Sequence, residues 1–84
     1  MEMANPPHPG EMISELCLEP LNLGVGEGAK ALDISRQVFS GILSGRIGIC
    51  LKMAFRLEMV FGGTAQSWLT NQTRYDLWLG SLVG

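Results

Sequence analysis

The stretch "LGVGEGAKALDISRQ", Leu23 to Gln37, decides the fold. It admits two readings: a glycine-rich loop that cradles phosphate, or a helix-turn-helix whose first helix is weakened by glycine. A Walker-type loop needs G-x-x-x-x-G-K-[ST], because backbone N–H groups wrap the phosphates and the hydroxyl holds magnesium. Here Ala29 separates Gly28 from Lys30, and Ala31 offers no hydroxyl. The dinucleotide fingerprint fails too, since Gly24, Gly26 and Gly28 are spaced G-x-G-x-G and no strand pattern precedes them. The helix-turn-helix reading asks for two short helices joined by a tight turn, the second presenting polar side chains at its N-terminal end to the major groove. "GEGAKALDISRQVFSGILSG" meets it: Ala29 is small where the helices cross, Asp33 suits a left-handed turn, Ile34 plugs the core, and Ser35, Arg36 and Gln37 open the second helix.

Outward from this motif, the chain reads as short helices cut by Gly, Asn and Pro, with no run of alternating β-branched residues. The predicted class is all-α. In "HPGEMISELCLEPLN" Pro9 suits a first helical turn, Glu11 lies near the positive end of the dipole, Met12, Ile13 and Leu16 share a face, and Pro20 is expected to stop the helix. Spacing predicts helices from about Gly24 to Leu32 and from Ser35, an N-cap, to Ser44, with Gly45 at C′. Met53, Ala54, Leu57, Val60 and Phe61 give the cleanest period, Leu51 to Phe61, ending at Gly62 and Gly63. The last helix, about 64–83, is capped by Thr64 and carries Trp68, Leu69, Gln72, Tyr75, Leu79 and Leu82 on one stripe, with Leu77 and Trp78 on another. A helix apolar on two sides must bury both. Trp68, Tyr75, Leu77 and Trp78 are therefore candidate dimerisation residues, with a place in the chain's own core as the alternative.

With 84 residues there is room for one compact domain, expected over 9–84 behind an arm at 1–8. So small a core, with 46% hydrophobic residues, points to added burial by self-association. The opening "MEMANPPHPGE" lacks a basic n-region and an apolar h-region, and no stretch approaches the roughly 18 to 20 apolar residues of a bilayer span, so a cytoplasmic protein without membrane contact is expected. Cys17 and Cys50 are too few for a disulfide framework, and with His8 they do not complete a zinc site. His8 likewise has no partners for Ser-His-Asp or Cys-His catalysis, and no carboxylate pair is evident, so neither an enzyme nor a cofactor is expected. Charge is unevenly placed. Residues 1–29 carry Glu2, Glu11, Glu15, Glu19 and Glu27 with no Lys or Arg, whereas residues 30–56 hold Lys30, Arg36, Arg46, Lys52 and Arg56 against Asp33, a local +4 in a chain of net −2. Such a segment is either a phosphate-facing surface or a solvated face.

Four landmarks, "NPPHPGEMISELCLEPLNL", "ALDISRQVFSGILSGRIGI", "KMAFRLEMVFGG" and "SWLTNQTRYDLW", together resemble the HigA-type antitoxins, relatives of the virulence-associated protein I group within the lambda-repressor-like, XRE-type helix-turn-helix proteins. The likeness covers nearly the whole chain. It implies a five-helix bacterial protein with a C-terminal dimerisation helix, which binds a HigB-type mRNA endonuclease toxin and represses its own toxin–antitoxin operon at an inverted-repeat operator. It also implies site roles: Arg36 and Gln37 at the base-reading start of the recognition helix beside its Ser35 cap, Ser40 at a further groove-facing position, and Ser44 and Arg46 at phosphate. A stand-alone repressor, and a toxin-binding inhibitor with degenerate DNA binding, are the competing functions.

Gly24, Gly26, Gly28 and Gly41 depart from the family pattern. Gly26 and Gly28 should weaken the first motif helix, each by roughly 0.8 to 1 kcal/mol relative to Ala, and Gly28 also takes a side chain from the core. Gly41 stands where relatives often place a long polar or basic residue, so a base contact is expected to be missing. Val25 replaces a residue that commonly reaches phosphate in relatives, and Cys50 sits where Ser or Thr would cap the fourth helix.

Overall fold

A computed structural model describes residues 6–83; within them the chain forms five helices and no strand. These are α1, residues 9–21; α2, Val25–Leu32; α3, Arg36–Leu43; α4, Leu51–Phe61; and α5, Ala65–Val83. Residues 1–5 of the expected arm, and Gly84 of the expected domain, lie outside the described residues.

Helix α1 starts where the sequence places it but does not stop where Pro20 suggested. Its N-cap is His8, whose Nδ1 accepts the Gly10 amide at 2.9 Å. Proline lacks the N–H that an α-helix needs and its ring collides with the carbonyl four residues back. The backbone avoids both by opening into a π turn over Ser14–Leu18, in which the Glu19 amide reaches back five residues to the Ser14 carbonyl. Pro20 then fits the short continuation Glu19–Leu21, and Asn22, left-handed at φ 55°, ends the helix.

The motif follows its local signals closely. Gly24 caps α2 without a side chain, and Glu27 compensates by accepting the Gly24 amide on Oε1 at 3.2 Å. Asp33 takes the left-handed position at φ 58°, and Ser35 Oγ accepts the Val38 amide at 3.1 Å to open α3. Gly45, at φ 84°, closes it. Cys50 begins α4 with no side-chain cap bond. Beyond Gly62 and Gly63, Thr64 caps α5 through the Ser67 amide, and the Glu58 carboxylate accepts the Ala65 amide at 2.6 Å.

The core is filled by Ile13 and Leu18 of α1, Leu32 of α2, Phe39 and Ile42 of α3, Met53, Ala54 and Leu57 of α4, and Trp68 of α5. Two expectations are corrected here. Gly28 leaves no gap, because a Cβ there would stand 2.6 Å from Phe39 Cε2 and 3.0 Å from Leu18 Cδ2; the aromatic ring already occupies that space. Trp68 is 7% exposed and donates Nε1–H toward the Gly62 carbonyl at 3.4 Å, so its surface is covered by its own chain and not held for a second copy.

Arg56 is also removed from the candidate phosphate-facing charges. Its guanidinium donates to the carbonyls of Leu32 at 3.0 Å and Asp33 at 2.7 Å, tying α4 to the C-terminal end of α2 and holding the motif's turn. Hydrogen bonds to a charged group contribute about 1.5 to 3 kcal/mol. Arg56→Met, which keeps the apolar stem, should therefore lower the urea-unfolding free energy by about 2 kcal/mol, while an unchanged midpoint would show that water serves those carbonyls equally well.

Candidate nucleic-acid interface

Helix α3 has two distinct faces. Phe39 and Ile42 point into the core, and Arg36, Gln37, Ser40 and Ser44 are exposed on the other side. The spacing of 37, 40 and 44 places three polar side chains on one stripe, with Arg36 at its N-terminal edge. The Ser35 hydroxyl oxygen accepts the Val38 amide, which leaves its own O–H available as a donor. At the other end Ser44 Oγ donates to the Gly41 carbonyl at 3.1 Å and accepts from Arg46 Nε at 3.2 Å. That relay pins the Arg46 guanidinium beside the end of α3, where an exposed cation suits a phosphate oxygen. All six residues singled out in the sequence thus lie on α3, its cap or the turn behind it.

Gly41, as expected, presents no side chain on this face; it is buried, because the Ile47 side chain folds over it.

The turn carrying Arg46 is held from behind by side chains that sequence spacing alone does not identify as partners. Gln72, 7% exposed on α5, accepts the Ile49 amide on Oε1 at 2.8 Å and donates Nε2–H to Asp76 at 2.9 Å. A polar residue on an otherwise apolar stripe was the available signal, but its partner lies 23 residues away. Nearby, the His8 ring rests against Gly45, 3.6 Å from where its Cβ would stand, and meets Tyr75 edge to face with centroids 4.7 Å apart. Trp78 extends the cluster, 5.7 Å from Tyr75.

Burial holds the His8 pKa below the ordinary imidazole value of 6.5, against the opposing pull of Asp76 and Glu11. Since Nδ1 accepts the Gly10 amide, protonation also removes the cap. A depressed folded-state value means that the unfolded chain binds the extra proton first, so this stabilisation is complete above pH 6.5 and declines as pH falls below it. The urea midpoint should drop between pH 7.5 and 5.5, and His8→Asn, a non-titrating cap, should flatten that part of the profile. An identical pH slope in the variant would place the sensitivity elsewhere.

No protein-family model matches the chain. Individual proteins do. It is 43% identical over 76 residues to virulence-associated protein A′ of Dichelobacter nodosus, covering 89% of this chain and 65% of that protein. It is 41% identical to an uncharacterised HTH-type transcriptional regulator of Haemophilus influenzae, over 93% of this chain and 73% of the relative. The fold superposes with a TM-score of 0.88 and 31% identity on Pseudomonas aeruginosa antitoxin HigA solved with the higBA promoter, covering 93% of this chain and 85% of that one. The chain belongs to the HigA-type antitoxin family. Its five-helix architecture is that of the HigA-type helix-turn-helix proteins, and the landmarks read in the sequence acquire physical roles within it. In the "MAFRL" segment, Arg56 clamps the motif turn. In "SWLTNQTRYDLW", Trp68 fills the core and Gln72 holds the loop that follows α3. Among the described residues no helix is long and apolar enough to cross a membrane, and no cluster of metal-ligating side chains occurs.

Proposed function

We propose that this protein is a DNA-binding autorepressor and antitoxin, a cytoplasmic protein without enzymatic activity that binds its own operator and neutralises a HigB-type toxin. The observation that carries this reading is the capped, exposed polar stripe of α3, with Arg36 and Gln37 at the helix start and the Ser44–Arg46 relay at its end. Arg pairs bidentately with guanine O6 and N7 and Gln with adenine N6 and N7, whereas Ser35 and Arg46 supply donors for the flanking phosphates and Ser44, its own proton held by the Gly41 carbonyl, positions Arg46. The relative solved with its promoter favours DNA as the partner, and its name as an antitoxin favours the toxin. Degenerate DNA binding loses one support, since Gly28 does not mark a missing core side chain in this fold.

Helix α5 fits the dimerising role. Among its exposed polar residues it keeps large apolar side chains uncovered, with Leu77 at 61%, Leu79 at 40% and Leu82 at 64% exposure, and Tyr75 and Trp78 half-buried. A two-fold dimer through Tyr75, Leu77 and Trp78 would present two α3 helices to successive major grooves. Selection from a random duplex pool tests both parts together. An inverted repeat with half-sites about 34 Å apart, centre to centre, is the expected product. A single half-site would contradict the dimer. With enrichment of nothing, co-purification with a HigB-type toxin would leave an inhibitor alone.

A further inference from the structure

The exposed face of the recognition helix is not built by α3 alone. Gly41 lies one helical turn beyond Gln37, so a side chain there would stand next to Gln37 on the same stripe. That space is taken by Ile47: a Cβ on Gly41 would fall 2.5 Å from Ile47 Cδ1 and 2.8 Å from its Cγ1. The backbone fixes this arrangement, because the amides of Arg46 and Ile47 both donate to the Gly41 carbonyl, at 2.9 and 3.0 Å. The turn therefore wraps back over the end of α3 and lays an aliphatic side chain on its outer surface. Core packing does not require it there. Ile47 remains 40% exposed, whereas Ile49, two residues on, is 5% exposed and fills the core.

We infer that Ile47 is a specificity-determining residue, reaching the bases from outside the helix and supplying an apolar contact in place of a side chain at position 41. The inference rests on the DNA-reading role proposed above. Along the major groove the thymine C5-methyl is the one apolar feature that distinguishes a base pair, and aliphatic groups recognise it. Arg36 and Gln37 address hydrogen-bonding edges, and Ile47, beside Gln37 on the same face, addresses a neighbouring thymine. Its Cδ1 methyl satisfies none of the donors and acceptors of a G·C pair, so the contact also disfavours that alternative.

The test uses the duplex that the full chain selects from a random pool, with each thymine of a half-site replaced in turn by deoxyuridine, which lacks only the methyl. Titrations compare the wild type with Ile47→Val, which removes Cδ1, and Ile47→Ala, with thermal midpoints confirming that each is folded. One thymine per half-site should be sensitive, its replacement weakening wild-type binding about three- to fivefold, the scale of one apolar carbon removed from water. On that position alone, both variants should bind the thymine and uracil duplexes equally. If the variants lose the same factor on both duplexes, Ile47 merely props the turn and the inference is overturned while DNA reading stands. If the pool yields no duplex bound better than unrelated DNA, both fall together.

Discussion

Gly10→Ala should lower the thermal midpoint by roughly 12 to 24 °C, although it adds one methyl group. Gly10 is buried where α1 crosses the end of α3, and a Cβ there would run into the Ile42 carbonyl oxygen and stand 2.8 and 2.9 Å from Leu43 Cα and O. These are backbone atoms, so no rotamer change relieves the overlap and one helix must shift. Overpacking a well-filled interior costs about 1 to 3 kcal/mol, and a backbone clash belongs at the upper end. Each kcal/mol is about 4 to 8 °C for a domain of this size. Gly26 provides the contrast, since nothing lies within 4 Å of its would-be Cβ. Gly26→Ala should stabilise the protein by about 0.5 to 1 kcal/mol, as Ala replaces Gly inside a helix. If both substitutions move the midpoint in the same direction, the close crossing of α1 and α3 is wrong.

The second large effect falls on binding. Arg36→Ala should weaken the selected duplex by about 5- to 150-fold, the range of 1 to 3 kcal/mol for a bidentate arginine–guanine pair, and unrelated DNA far less. Arg36 is exposed at the first turn of α3, so its removal should leave the thermal midpoint almost unchanged. Anisotropy titrations on both duplexes separate the possibilities. Equal losses on the two would make Arg36 a phosphate contact and move base reading to Gln37 and its neighbours.

Features decided within a few residues were legible in the sequence. Ser35, Asp33 and Gly45 announce a cap, a left-handed turn and a helix end because each acts on backbone groups two to four positions away. The exposed polar face of α3 follows from the same local periodicity. What escaped was set by partners distant in the chain. Gly28 looks like a lost core residue until Phe39 is placed against it, and nothing local announces that Ile47 folds over Gly41. Arg56 counts as surface charge until it is seen bonding carbonyls more than 20 residues back. Pro20 is a helix breaker in any local view, and only the π turn reconciles it with continuation. The apolar stripe of α5 was visible, but which of its aromatics serve the monomer depends on the packing of α4 and the loop before it. That packing claims Trp68 and leaves Leu77 outside.

Sequence-specific reading by α3 is tested most directly by fluorescence-anisotropy titration of the purified protein on DNA from upstream of its own gene, at two salt concentrations, with unrelated DNA as control. The expected result is binding that is tighter on the upstream DNA at both salts, weakens with salt as phosphate-held counterions are released, and keeps its preference as the overall affinity falls. Equal affinity for the two DNAs at both salts would contradict it.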